Sequence, residues 1–154
     1  MSYLKLTGFQ LKTVADRVVS EVLRRQKLKT RPHRIPPFKY IAITGYSGAL
    51  VGAHVSHSLR KRLIIARPAC CENAHHGNDV EFEIPGSTLD YLFLDDFISS
   101  GKTVRSTVEL ISDHAREAGV RPKCVGAIFY RDHTMSKSNV ARLSTELDIP
   151  FYSA

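Results

Sequence analysis

Short apolar runs alternate with amphipathic segments along most of this chain. Runs rich in β-branched and aromatic residues have the length of buried strands, and they span 40–44, 63–68, 89–96, 124–130 and 149–152. Apolar residues recur every three or four positions in the segments that we predict to be helices, which span 10–27, 48–60, 103–118 and 137–147. This alternation predicts an α/β fold with a central, mostly parallel sheet flanked by helices on both faces.

Smaller features refine this prediction. Gly119 is placed to cap the carboxyl end of the third helix, and the proline-rich segment 31–38 is typical of a linker. The polar stretch 69–88 contains one alternating segment, 80–84, which predicts either a hairpin arm or a small strand. The apolar side of the second helix is predicted to contain Leu50, Val51, His54, Val55, Ser58 and Leu59.

The length of 154 residues is that of one domain with a sizeable core. We therefore predict a single domain over 1–154, with an N-terminal helix and basic linker at 1–39 and the core at 40–154. No apolar run approaches the roughly 18 residues of a membrane span. The three cysteines fit a reducing cytoplasm better than a disulfide framework. These features favour a cytoplasmic protein without a membrane segment.

The formal net charge of +7 suggests an anionic partner, either nucleic acid or a polyphosphate substrate. Much of the excess lies in RRQKLKTRPHR, residues 24–34. Two interpretations of this segment stay open. Cations at the end of a helix can be solvated and complement its dipole, or they can contact nucleic acid or phosphate.

The stretch LFLDDFISSGKTV, residues 92–104, ends in a Gly-Lys-Thr that invites comparison with the P-loop of nucleotide triphosphatases. A P-loop requires glycine, four further residues and then Gly-Lys-Ser/Thr. The first glycine would fall at position 96, which is Asp96. A carboxylate there would oppose the backbone wrapping around a triphosphate, so we reject the P-loop.

The segment LFLDDFISSGKT resembles instead the loop that binds phosphoribosyl pyrophosphate (PRPP) in type I phosphoribosyltransferases. Both have an apolar strand, two acids, two apolar residues and a hydroxyl-rich turn with glycine, although Phe97 stands where a smaller aliphatic is usual. The resemblance implies that Asp95 and Asp96 are catalytic. It also implies a PRPP 5′-phosphate site made by Ser99, Ser100, Gly101, Lys102 and Thr103.

Elementary chemistry supports these roles. Consecutive N–H groups and hydroxyls at a helix N-terminus form a cradle for an anion. Carboxylates accept hydrogen bonds from ribose hydroxyls and balance the positive charge that develops at C1′ when pyrophosphate leaves. The competing interpretation is an exposed strand-to-helix turn in which Ser99 or Ser100 is the N-cap.

The order of elements over 40–153 is similar to that family as well. The resemblance implies a pyrophosphate loop made by Thr44, Gly45, Tyr46, Ser47 and Gly48. It also assigns Arg67 to PRPP, although Pro68 stands where many relatives have a pyrophosphate-binding lysine. His75, His76 and Gly77 would lie in a mobile loop that closes over the substrate, a loop that carries no Lys or Arg here.

The activity that the resemblance implies is attack by a nucleobase nitrogen on C1′ of PRPP, with release of pyrophosphate. Mg²⁺ would be held mostly by PRPP oxygens and water, with no direct protein ligand and with Asp95 and Asp96 reached through water. A homodimer is implied as well. A structural zinc at Cys70, Cys71, Glu72, His75 and His76 is an alternative use of that cluster, but adjacent cysteines suit one tetrahedral ion poorly.

The acceptor base stays open. Enzymes for 6-oxopurines carry an acid at the position of Ser99, so this chain is more similar to the orotate group, as is its ending DIPFYSA. Packing or solvation is the simpler role for the residues that we considered as base contacts, which are Phe38, Lys39, Tyr130 and Arg131. Two other classes of function remain: a regulator of this fold that binds nucleic acid through 24–34, and a catalytically inactive homologue.

Overall fold

The structure, a computed structural model, describes residues 8–30, 33–68, 79–81, 86–131 and 135–154. Four helices lie within these ranges: α1 (Gly8–Gln26), α2 (Gly45–Leu59), α3 (Lys102–Glu117) and α4 (Lys137–Leu147). The strands are β1 (Tyr40–Ile43), β2 (Arg62–Arg67), β3 (Asp79–Glu81), β4 (Thr88–Asp95), β5 (Arg121–Phe129) and β6 (Phe151–Ser153). None of the described helices is both long and apolar enough to cross a lipid bilayer.

The strands form one sheet in the order β3-β2-β1-β4-β5-β6. All neighbours pair in parallel except β2 and β3, which run antiparallel. The predicted α/β fold with a mostly parallel sheet is therefore confirmed. The alternating segment at 80–84 contributes the antiparallel edge strand, although residues 82–85 lie outside the described ranges.

Two apolar clusters hold the helices on opposite faces of the sheet. One face packs against α3 and α4 through Val104, Ile111, Ala115 and Leu143. The other packs against α1 and α2 through Ala15, Val18, Val22, Val51 and Val55. Successive residues of a strand point to opposite faces, so a strand covered on both sides must be apolar throughout. This is why β1 reads as an unbroken run, YIAI, and is buried at every position.

The ends of α3 and α4 follow their sequence signals. Gly119, with φ of 72°, donates its N–H to Arg116 O, and Val120 donates to Ala115 O. These two bonds make a Schellman motif, so the predicted glycine cap of α3 is confirmed. Helix α4 begins where Ser136 Oγ accepts from Asn139 N–H, an N-cap that matches the predicted start at residue 137.

Helix α2 departs from the prediction at its start. It begins at Gly45 and not at residue 48, so residues 45–48 are its first turn and Thr44 is the N-cap. Two glycines let the helix approach the end of β1 closely. A Cβ added at Gly48 would lie 3.5 Å from Ile43 Cβ, and one at Gly52 would overlap Ile43 Cγ2. Leu50 was also predicted wrongly, since it is 59% exposed and not part of the core.

Candidate functional site

The parallel pairing of β1 with β4 brings two helix N-termini to the same edge of the sheet. Ile43 pairs with Leu94, so Thr44 and Asp95 follow adjacent strand ends. Helix α2 begins directly after Thr44, and a Cβ added at Gly48 would lie 3.6 Å from Leu94 O. The two stretches that the sequence singled out, 44–48 and 95–103, therefore meet at the carboxyl edge of the central strands.

Asp95 is the last residue of β4 and is only 7% exposed. Burial raises the pKa of Asp95 to about 8, and the neighbouring charge of Asp96 adds to the rise. The N–H of Asp96 donates to Asp95 Oδ1 at 2.9 Å, which opposes that rise. Consequently the Asp95 carboxyl carries a proton over much of the neutral pH range.

Asp96 is fixed by contacts to the next residue of its own loop and to the segment that follows β5. Its Oδ1 accepts from the N–H of Phe97 at 3.0 Å, and its carbonyl accepts from the N–H of Arg131 at 2.8 Å. Arg131 Nη1 also lies 3.8 Å from Asp96 Oδ2, while its guanidinium lies over the Phe97 ring. The chain that follows β5 therefore closes one side of the acid pair. From the sequence, Arg131 was only one of several candidates for base contact.

The hydroxyl-rich turn lies at the N-terminus of α3, a helix of 16 residues. Gly101 is the N-cap, so the interpretation of Ser99 or Ser100 as N-cap is wrong. Ser100 Oγ instead accepts from the N–H of Lys102 at 3.3 Å. Ser99, Ser100 and Lys102 are all exposed, so the turn presents hydroxyls and N–H groups to solvent at the positive end of a helix dipole.

Gly101 is required by the backbone and by packing. Its φ is 78°, in the left-handed region that costs other residues energy. A Cβ at this position would also overlap Leu143 Cδ2 on α4. Helix α4 thus packs directly against the phosphate turn that the sequence predicted.

Thr44 provides an unusual polar group between the two stretches. It is 4% exposed, and its hydroxyl has no hydrogen-bond partner among the described residues. As the N-cap of α2 it makes no side-chain capping bond either. A buried hydroxyl without a partner is costly, and an explanation is expected for each such group.

The remaining predicted residues lie in varied settings. Tyr46 is 89% exposed on the first turn of α2. Arg67 ends β2 and forms a 2.5 Å ion pair with Glu81 on β3, which the sequence did not reveal. The residues of the predicted metal cluster and of the predicted loop over the substrate, His75, His76 and Gly77 among them, lie outside the described residues, as does the side chain of Ser47.

Residues considered as base contacts are separated by the fold. Phe38 is buried beside Lys61, at the edge where the strands begin, and Lys39 follows it. Tyr130 and Arg131 instead follow β5 at the carboxyl edge. They line a cavity of about 750 Å³ together with Arg17, whose Nη2 donates to Tyr130 O at 2.5 Å. Sequence reasoning missed Arg17, because nothing in its helix marks it.

A second cavity, of about 400 Å³, adjoins the turn at 99–103. It is lined by Ser99, Ser100, Arg105, Met135, Ser136, Asn139, Arg142, Leu143 and Glu146. In the described parts of the chain no three His, Cys, Asp or Glu side chains cluster as a metal site would require. The acid pair offers hard oxygen ligands of the kind that Mg²⁺ prefers, but the rest of its shell would have to come from substrate and water.

The fold has counterparts among solved structures, although no protein-family model and no curated protein matches the sequence. UMP synthase from Leishmania donovani aligns with a TM-score of 0.59 and 20% identity, over 94% of this chain and 26% of that one. Adenine phosphoribosyltransferase from Trypanosoma brucei, in complex with AMP, pyrophosphate and ribose-5-phosphate, aligns with a TM-score of 0.63 and 17% identity. That match covers 96% of this chain and 64% of the other.

Orotate phosphoribosyltransferase from Aeropyrum pernix aligns with a TM-score of 0.63 and 14% identity, over 96% of this chain and 77% of that one. The chain thus spans about a quarter of the UMP synthase and just under two thirds of the trypanosomal enzyme. These likenesses show that the chain has the phosphoribosyltransferase fold, as the motif at 92–104 led us to expect.

Gly101→Ala tests the packing of α4 on the phosphate turn. We expect it to lower the free energy of unfolding by about 2–4 kcal/mol, since left-handed strain and the overlap with Leu143 add together. Gly119→Ala is the matched control, because Gly119 has a similar φ of 72° but nothing within 4 Å of the added Cβ. Denaturant unfolding measures both. Equal losses in the two variants would contradict a packing role for Gly101.

Asp95→Asn tests the buried acid. The pKa of Asp95 lies near 3.8 ordinarily and at about 8 in the folded chain. Its contribution to stability is therefore full at low pH and declines as the pH rises from about 4 to 8. We expect Asp95→Asn to raise the melting temperature at pH 8 by at least about 2–4 °C, the effect of 1 kcal/mol at this size.

The gain should shrink toward pH 4, where the carboxyl is protonated in both states. Asp113→Asn, at an exposed carboxylate of α3, should give a small change that does not grow with pH in this way. A gain for Asp95→Asn that is equal at pH 4 and pH 8 would show that burial does not raise the pKa of this group.

Proposed function

We propose that the chain binds PRPP at the carboxyl edge of β1 and β4 and transfers the 5-phosphoribosyl group to a nucleobase, releasing pyrophosphate. One observation carries this proposal: helix α2 begins beside the end of β4, where Asp95 is buried and Asp96 leads into the turn before α3. A helix N-terminus on each strand-to-helix connection, with two acids between them in the chain, suits a sugar that bears a phosphate at one end and a pyrophosphate at the other. The fold shared with phosphoribosyltransferases supports the same assignment.

The 5′-phosphate would occupy the turn at 99–103. Ser99 and Ser100 offer exposed hydroxyls, and the first N–H groups of α3 have no partner within the helix. The dipole of α3 adds positive potential at the same point. Lys102 is exposed at the first position of α3, so it adds charge near the phosphate without being fixed.

The ribose would lie against Asp95 and Asp96. Their carboxylates would accept hydrogen bonds from the ribose hydroxyls and oppose the positive charge that develops at C1′ as pyrophosphate leaves. Since Asp95 is buried and its pKa is raised to about 8, its carboxyl would be largely protonated near neutral pH before the substrate binds. The contact of Arg131 with Asp96 would hold that carboxylate in place.

The pyrophosphate would face the N-terminus of α2. The Thr44 hydroxyl, which lacks a partner among the described residues, would donate to a pyrophosphate oxygen. The amides of residues 45–48 would point the same way, because the first N–H groups of a helix remain free. Arg67 would contribute to pyrophosphate binding only if its guanidinium contacted pyrophosphate and Glu81 together, because it is paired with Glu81. Closure by a loop that contains His75, His76 and Gly77 stays part of the proposal.

Mg²⁺ would be held by pyrophosphate oxygens and water, with Asp95 and Asp96 contacting that water, and would neutralise charge on the leaving group. The nucleobase would enter the cavity of about 750 Å³ beside Tyr130 and Arg131. Arg131 links this cavity to the acid pair, since it lines the cavity and contacts Asp96. Its guanidinium donors suit the oxygen and nitrogen acceptors of a base.

We propose a homodimer in the cytoplasm as the working form of this nucleotide-metabolism enzyme. Tyr46 and Leu50 are one helical turn apart on the outer face of α2 and are 89% and 59% exposed. Such an apolar pair beside the site suits contact with a second copy. Sedimentation analysis of the chain and of Leu50→Glu, in which the dimer should weaken, tests this part of the proposal.

Thr44→Val tests the pyrophosphate site without disturbing the fold. Loss of a hydrogen bond to a charged group should weaken PRPP affinity about tenfold or more, while removal of an unpaired hydroxyl should leave stability unchanged or higher. Thr107→Val is the matched control: its hydroxyl is also buried without a partner among the described residues, but it lies within α3. Titration calorimetry with PRPP and Mg²⁺ should show the loss only for Thr44→Val.

Turnover tests the function directly. Pyrophosphate release from PRPP and Mg²⁺ is measured with purines, pyrimidines and orotate in turn. We expect release with one of these bases, abolished when Asp95→Asn and Asp96→Asn are combined and unchanged in Asp113→Asn. Absence of PRPP binding would overturn the proposal, whereas binding without turnover for any base would favour a regulatory or inactive member of the fold.

A further inference from the structure

A basic cleft lies at the other end of the parallel strands from the acid pair, where β1 and β2 begin. It has a volume of about 300 Å³ and is lined by Lys39, Tyr40, Arg60, Lys61 and Arg62. Two segments distant in sequence build it: the residue that precedes β1 and the turn between α2 and β2. The N–H of Arg62 donates to Lys39 O at 3.0 Å, which holds the two segments together. We refer to these five residues as the basic cleft.

The charge of the basic cleft is not balanced locally. Among the described residues, no carboxylate lies within 4.0 Å of the charged groups of Lys39, Arg60, Lys61 or Arg62. Lys61 lies over the Phe38 ring, 5.1 Å from its centroid, which fixes one of the four cations. The neighbouring strand β4 carries one acid near Lys39, which is Asp90. The backbone carbonyl of Asp90 accepts from the N–H of Lys39.

The basic segment at 24–34 differs in this respect. Arg24 and Arg25 both donate to the Glu21 carboxylate, at 2.6–2.8 Å. Arg25 also lies over the Tyr152 ring and donates to His33 O. These contacts give the two arginines an internal role at the end of α1. Glu21 therefore offsets part of the charge at the end of α1, although Lys27 and Lys29 have no carboxylate within 4.0 Å among the described residues.

Arg60 adds an independent observation. It caps α2 with φ of 52° and ψ of 45°, a left-handed conformation that favours glycine or asparagine. An arginine is strained there, and its side chain is exposed. Strain at a position where glycine would be better suggests that the side chain itself is needed.

The positive charge continues along the same edge. Arg121 and Lys123 are exposed at the beginning of β5, two strands from β1. Strands spaced about 4.8 Å apart place β2 and β5 roughly 14 Å from each other. Asp90, which pairs with Lys123, lies within this row and offsets part of its charge. A row of cations wider than one phosphate suits an extended polyanion better than a single small anion.

We propose that the basic cleft binds the phosphate backbone of a nucleic-acid duplex. A duplex carries one negative charge per roughly 1.7 Å of its axis, so neighbouring cations can each meet a phosphate. Single strands are usually bound on exposed aromatic rings. Here Tyr40 is 2% exposed and Phe38 is 3% exposed, so neither offers its ring for base stacking. The contact is therefore to the backbone and independent of sequence.

The test compares two triple variants that each remove three positive charges. One combines Lys39→Gln, Arg60→Gly and Arg62→Gln, and the other combines Arg24→Gln, Lys27→Gln and Lys29→Gln. The probe is a labelled DNA or RNA duplex of about 20 base pairs, titrated at several salt concentrations. We expect the cleft variant to bind at least tenfold more weakly near 0.1 M salt, with the slope of log K against log salt smaller by up to about 3.

The second variant should lose less than about threefold, because its charges lie outside the cleft. Arg60→Gly relieves left-handed strain, so the melting temperature of the Arg60→Gly variant should be at least that of the unsubstituted chain. This measurement separates lost binding from lost folding. PRPP affinity of the cleft variant should be unchanged, since the cleft and the acid pair lie at opposite edges of the sheet. Failure of PRPP binding in every variant would therefore bear on the proposed enzyme and not on the cleft.

Three results would overturn the proposal. The first is that the unsubstituted chain does not bind the duplex at low salt. The second is that both triple variants lose affinity for the duplex equally. The third is that the chain binds vesicles of anionic lipid more tightly than the duplex and that the cleft variant loses the vesicle binding instead. The second result would assign binding to net charge, and the third would assign the cleft to a membrane surface.

Discussion

The parallel pairing of β1 with β4 is the constraint on which this structure depends. Because Ile43 pairs with Leu94, Thr44 and Asp95 lie at the carboxyl ends of adjacent strands, and α2 and the turn that leads to α3 both start there. A parallel pair requires crossover connections, and those of this sheet contain α2, α3 and α4, which lie on its two faces. The arrangement that buries the core is thus the one that assembles the candidate site.

The same edge concentrates local features that oppose stability. Asp95 is a carboxyl at the buried end of a strand, and Thr44 has a buried hydroxyl with no partner among the described residues. An apolar residue of similar shape would be more favourable at either position if only the fold mattered. Unfavourable groups that cluster at one edge of an otherwise apolar core are typical of sites that await a ligand.

The two ends of the parallel strands differ in electrostatics. The carboxyl edge combines a carboxylate pair with helix N-termini and with Arg131, so charges of both signs lie close together. The opposite edge carries the basic cleft, where cations lack carboxylate partners among the described residues. Mixed charge suits a substrate that bears both hydroxyls and phosphates, whereas an excess of one sign suits a uniform polyanion.

The sequence by itself determined the layered α/β fold, the bounds of α4, the glycine cap of α3 and the loops to watch, since periodicity and capping are local. It also contained Glu21 at three and four positions before Arg24 and Arg25, a spacing that predicts their ion pairs. Only the tertiary structure decided that Leu50 faces solvent, that α2 starts at Gly45, and that Asp95 is buried beside Arg131. It also joined Lys39 to Arg62 in one cleft. Those outcomes depend on which strands become neighbours, and burial and charge balance arise only when distant segments meet.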